Sequence, residues 1–111
     1  MRHEDQIRLQ HMLDAALDTC QFTEGHSLGD LESDRMRQFA ILHCIEVIGE
    51  AAGEVSQELR SRSPHIPWKN IIAMRNRLAH GYFDVDLEIV WKTVTTKLPI
   101  LIGQVRILLE N

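Results

Sequence analysis

Phe39-Ala40-Ile41-Leu42-His43-Cys44-Ile45-Glu46-Val47-Ile48-Gly49-Glu50-Ala51-Ala52-Gly53 sits near the middle of the 111-residue chain and decides its fold class. Apolar residues recur there at the three- and four-residue steps of a helix. The pattern predicts one long helix over about residues 31–61, with Phe39, Ala40, Cys44, Val47, Ile48, Ala51, Val55 and Leu59 on its buried face. Gly49, Ala52 and Gly53 fall inside it. A glycine costs a helix up to ~1 kcal/mol relative to alanine, a cost that close packing of another backbone offsets. The small-residue face is therefore read first as a helix–helix contact and second as a dimerisation surface. Glu46, Glu50, Glu54 and Glu58 follow at steps of four. Glu54 and Glu58 read as solvated, while Glu46 or Glu50, flanking Gly49, is placed to reach an arginine across an interface.

The flanking segments are helical too. Leu9, Leu13, Ala16, Leu17 and Cys20 form the apolar stripe of a first helix over about residues 4–22. Residues 23–29 are polar and break it, and Ser27 is placed to cap a short turn with Asp30 three residues on. Ser63-Pro64-His65-Ile66-Pro67-Trp68 is the clearest break, with Pro67 near the first position of a third helix over about residues 68–80. After a short connection over 83–85, Asp86 caps a last helix carrying Leu87, Val90, Trp91, Val94 and Leu98. Pro99 predicts a kink or restart there, after which Ile100, Leu101, Val105, Leu108 and Leu109 continue the stripe. The expected fold is all-α, a single domain over residues 1–111 built as an antiparallel bundle of four to five helices.

Composition narrows the function classes. No run approaches the ~20 apolar residues of a membrane span, and the polar start of the chain carries no signal-peptide core. Cys20 and Cys44 fall on apolar faces and read as free thiols in a reducing cytoplasm. The six histidines show no paired ligand spacing, so neither a metal nor another cofactor is expected. The net charge is −4, yet residues 59–83 hold no acid and contain Arg60, Arg62, Lys69, Arg75 and Arg77. A local basic patch on an acidic body suits phosphate binding at one site.

Inside that patch lies Arg75-Asn76-Arg77-Leu78-Ala79-His80-Gly81-Tyr82. Arginine keeps its proton and grips phosphate with a planar fork. Histidine exchanges a proton near neutral pH. Together they supply charge stabilisation and acid–base transfer, enough for phosphodiester cleavage without a metal. Gly81 reads as a helix stop, which puts His80 in the last turn. Positions five apart on a regular helix point about 140° away from each other. Arg75 and His80 converge only if the helix frays or a second copy completes the site, which favours a dimer interface. Asn76, one turn before His80, is placed to orient the imidazole.

The segment matches the R-x4-H-x-Y motif, and the chain resembles the HepT-like ribonuclease toxins of the HEPN superfamily. The blocks Ile48-Gly49-Glu50-Ala51, Ile66-Pro67-Trp68, Met74-Arg75-Asn76-Arg77, His80-Gly81-Tyr82-Phe83 and Val85-Asp86-Leu87-Glu88-Ile89-Val90-Trp91 occur in family order. The resemblance implies a HEPN-like helical homodimer and a metal-independent endoribonuclease acting on RNA, with Arg75 and His80 catalytic and Asn76, Arg77 and Tyr82 positioning the substrate. It also implies a minimal nucleotidyltransferase antitoxin that transfers AMP to Tyr82. His43 stands where many such sequences carry arginine. A different class of function is a non-catalytic substrate-binding subunit of a nucleotidyltransferase, in which Arg75 and His80 bind phosphate without cleaving it.

Overall fold

The computed structural model describes residues 1–81 and 85–110. Its elements are α1 (His3–Thr23), α2 (Leu28–Glu32), α3 (Arg35–Glu54), α4 (Gln57–Arg62), α5 (Trp68–Ala79), α6 (Leu87–Lys92), a π-helical segment (Thr93–Lys97) and α7 (Leu98–Glu110). The described residues contain no strand. The all-α bundle is the one the apolar periodicity predicts. Helix α3 is its spine: it packs on α1 along one side and on α5 along the other, while α7 closes on α1. Leu9 and Met12 of α1, Ile41 of α3, and Val90, Val94 and Val105 from the C-terminal rod, the run of α6, the π-helical segment and α7, belong to the fully buried centre.

The predicted start signals hold at the short links. Ser27 and Asp30 form the capping box of α2, Ser27 Oγ accepting from the Asp30 N–H and Asp30 accepting from the Ser27 N–H. That backbone N–H holds the Asp30 carboxyl below its ordinary range, helped by His26 3.3 Å away. Asp86 caps α6, accepting from the Glu88 N–H at 2.9 Å. The predicted connection over 83–85 falls mostly outside the described residues.

Two expectations need correction. The single helix over 31–61 is three elements. Asp34 caps α3 by accepting from the Arg37 N–H, and Val55 turns extended at its far end. That second break is imposed by a residue 51 positions away: buried Asp5 accepts from Ser56 N–H at 2.8 Å and from Ser56 Oγ at 2.6 Å. Ser56 Oγ in turn caps α4 by accepting from the Leu59 N–H. The buried face of α3 is also wider than one stripe. Ile41, Leu42, Ile45 and Ala52 are buried because α3 has neighbours on two sides, whereas Phe39 is exposed beneath the Arg35 guanidinium, 5.3 Å from its ring. Leu17 and Ile100 lie outside the core as well. At Pro99 the predicted restart is present: the chain stays helical, and α7 begins at Leu98 after a π-helical segment. The proline ring would crowd the Thr95 carbonyl in an α-helix. A π-helical segment over Thr93–Lys97 absorbs the mismatch instead, with the Leu98 N–H donating to the Thr93 carbonyl.

The contact of α3 with α5 is made at Gly49, as the small-residue face predicts. A Cβ there would run into the aliphatic stem of Arg75, 2.8 Å from its Cγ, and lie 3.3 Å from the Ile71 carbonyl oxygen. Gly53, one turn on, is exposed and has nothing within 4 Å of such a Cβ. Gly49→Ala should therefore destabilise the chain by about 1–3 kcal/mol through overpacking. Gly53→Ala should be neutral or stabilise it by up to ~1 kcal/mol. Urea denaturation followed by circular dichroism measures both, and equal stabilities for the two variants would show that α3 and α5 have room to separate.

Candidate functional site

Helix α5 carries the motif, and its ends are held differently. At the start, Trp68 is buried and its indole N–H donates to the Ser63 carbonyl at 3.0 Å, while Ser63 Oγ donates to the Leu59 carbonyl at 2.6 Å. The Pro-Trp block thus ties the N-terminus of α5 to α4. At the other end, His80 is the C-cap, and the Gly81 N–H donates to the Leu78 carbonyl at 3.0 Å. Gly81 has φ +133°, a conformation that favours glycine, so the helix stops where the sequence predicts.

The two halves of the motif face different surroundings. The Arg75 stem lies in the notch opened by Gly49. Its Nη2 is 3.3 Å from Glu50 Oε1, its Nη1 donates to Asn76 Oδ1 at 3.3 Å, and its Nε is buried with no hydrogen-bond partner among the described residues. Glu50 thus reaches an arginine, and it does so within one chain. Asn76, read as the orienter of the His80 ring, places its oxygen on Arg75. His80 itself is exposed and borders a cavity of about 280 Å³, with Arg77 and Asp86 at its rim and Ile45, Met74 and Val90 among its walls. Arg75 is not one of its lining residues. Tyr82 lies outside the described residues. His43 sits on the exposed side of α3.

The basic segment is partly consumed by the protein. Arg60 donates to the Val55 and Gly53 carbonyls and so closes the C-terminus of α3. Arg62 lies 3.7 Å from Glu58. Lys69 and Arg77 are exposed and have no ion pair among the described residues. Arg77 also borders a larger groove of about 570 Å³ between α5 and the C-terminal rod, with Lys97 and His65 at the same groove. Sequence reading missed both the groove and the place of Asp86 on the cavity that His80 borders. The one available signal was the position of Asp86 shortly after the motif.

Cys20 and Cys44 are free, and burial pushes both thiols up, so they stay protonated at neutral pH. Among the described residues no three His, Cys, Asp or Glu side chains converge on a metal position. No described helix is long and apolar enough to cross a membrane.

Comparison with known proteins gives a consistent answer. A family model described as "Ribonuclease HepT-like" matches residues 12–108. A Methanocaldococcus jannaschii protein assigned as an RNase is 31% identical over 99 residues, covering 89% of this chain and 91% of its own. A Thermococcus cleftensis protein assigned as a ribonuclease HepT is 37% identical over 84 residues, 76% of each chain. A Caldanaerobacter subterraneus protein assigned as an RNase is 33% identical over 103 residues, 93% of this chain and 92% of its own. No solved structure matches.

Proposed function

Since the chain belongs to the HepT-like ribonuclease family, we propose that it is a cytoplasmic, metal-independent endoribonuclease. In this reading it is the toxin of a toxin–antitoxin pair, works as a homodimer, and is neutralised by a minimal nucleotidyltransferase that adenylylates Tyr82. The observation that carries the reading is His80: an exposed imidazole at the open end of α5, beside a cavity rimmed by Arg77. Cleavage proceeds by attack of a ribose 2′-hydroxyl on the adjacent phosphorus, breaking the bond to the 5′-oxygen. One proton leaves the nucleophile and one reaches the leaving oxygen, and His80 serves one of these transfers. Arg75 stabilises the charge that builds on the phosphoryl oxygens. Asn76 and Arg77 position the substrate.

The separation of Arg75 from the His80 cavity supports a site shared by two copies. Arg75 of one copy then serves a phosphate that His80 of the other attends. Tyr82 follows His80 by two residues, so AMP attached to its phenol brings a negative phosphate and added bulk to the entrance of RNA.

His80→Ala should lower cleavage of an RNA oligonucleotide in EDTA by about 10²–10⁴-fold with its helical circular dichroism intact. Arg75→Lys should also be impaired, because an ammonium lacks the two-pronged contact. Full activity of folded His80→Ala excludes the catalytic assignment, and RNA binding without cleavage by the unaltered chain identifies a binding subunit instead. Mixing Arg75→Ala and His80→Ala chains, each strongly impaired alone, should restore part of the activity if one site draws on both copies. A fully active monomer would rule out the shared site. Incubation with the cognate nucleotidyltransferase, ATP and magnesium should add AMP mass to the peptide containing Tyr82, and Tyr82→Phe should refuse it. A label on another residue would leave Tyr82 with substrate positioning alone.

A further inference from the structure

We propose that Glu50 is a positioning residue of the RNA-cleaving site: it fixes the direction of the Arg75 guanidinium before substrate arrives. The inference rests on the ribonuclease reading above and deepens it at one side chain.

An arginine has several free rotors, and freezing them when phosphate binds weakens the contact. Arg75 is held at three levels before any ligand arrives. Its stem is trapped where Gly49 lets α3 approach α5. Its Nε is buried. Its two terminal nitrogens are tied separately, Nη2 to Glu50 on α3 and Nη1 to Asn76 on α5. Asn76 is the neighbouring residue on the same helix and moves with Arg75. Among the described residues, Glu50 is the one hydrogen-bonding tie between this guanidinium and another helix, so it sets the orientation relative to the core.

The donor inventory leaves room for substrate. A guanidinium carries five N–H groups. One is buried, one goes to Glu50 and one to Asn76. The two that remain, one on each terminal nitrogen, match in number what a forked contact with phosphate oxygens uses. Glu50 engages a single nitrogen through a single oxygen. A two-pronged carboxylate would have occupied the fork. The pair is also half-exposed, with side-chain accessibilities of 36% for Arg75 and 54% for Glu50, so it contributes little to fold stability. Its placement beside a motif arginine is better explained by orientation than by folding.

The test compares Glu50→Ala and Glu50→Gln with the unaltered chain, each also in an Arg75→Ala background, on one RNA oligonucleotide. Glu50→Ala should lower kcat about tenfold, the scale of a displaced catalytic group, with KM changed less than about twofold. Glu50→Gln keeps an acceptor oxygen and should recover most of the rate. With Arg75 already alanine, removing Glu50 should cost nothing more, since the two act as one unit. Full activity of Glu50→Ala, or losses that multiply in the Arg75→Ala background, would overturn the proposal. So would a Glu50→Gln variant that binds RNA more tightly, because Glu50 would then be a competitor of phosphate. An unaltered chain that fails to cut RNA would defeat the ribonuclease reading alone. Nitrogen-15 NMR of the Arg75 guanidinium judges the positioning separately: its rotation should be hindered in the unaltered chain and freed in Glu50→Ala. Free rotation in the unaltered chain would end the proposal.

Discussion

The close approach of α3 and α5 at Gly49 is the constraint on which the candidate site depends. Two helices packed through ordinary side chains sit 8–10 Å apart. Here one partner contributes no side chain at the crossing, and the stem of Arg75 occupies the space. Packing and chemistry are thereby coupled in one residue. The aliphatic part of Arg75 acts as a core group between two helices, and its charged end is delivered to the surface beside Glu50. The glycine that weakens α3 locally is what lets the arginine be both.

Helix α5 then works as a rigid arm with one secured and one open end. Trp68 and Ser63 secure its N-terminus through buried hydrogen bonds, and Gly81 ends it with a conformation other residues resist. His80 is left exposed at the open end. Because α5 rests chiefly on α3, the side facing the C-terminal rod remains a groove with Arg77 and Lys97 along it. The charge carried by residues 59–83 is accordingly less free than its sequence count. Arg60 closes a helix end, Arg62 pairs with Glu58 and Arg75 shares one terminal nitrogen with Glu50, while Arg77 and Lys69 have no ion pair among the described residues. This arrangement favours local recognition of a phosphate over the wrapping of a long nucleic acid.

Helix boundaries elsewhere show how local and distant forces divide the work. The caps by Ser27, Asp34 and Asp86 are made with N–H groups two or three residues on, so a short sequence window contains everything they need. The break at Val55 and Ser56 depends on a carboxylate from α1 that no local window contains. Pro99 lies between the two cases. Its clash with the preceding turn is local, but the burial of Thr93, Val94 and Leu98 keeps the helix continuous, and a π-helical segment reconciles the two demands.

What the sequence determined by itself was therefore the all-α class, the helix starts near Ser27, Pro67 and Asp86, the stop at Gly81, the packing role of Gly49 and the membership of the motif residues in one segment. Each follows from periodicity or from a contact within a few residues. Tertiary structure alone decided that Phe39 faces solvent while Ile41 and Ile45 are buried, since burial on α3 is set by having α1 and α5 on two sides. It also decided that Glu50 meets Arg75, 25 positions away, and that Asp86 and His80 line the same cavity. Those pairings depend on how helices approach one another, and helix approach is governed by the side chains at each crossing, which no periodicity along a single strand of sequence records.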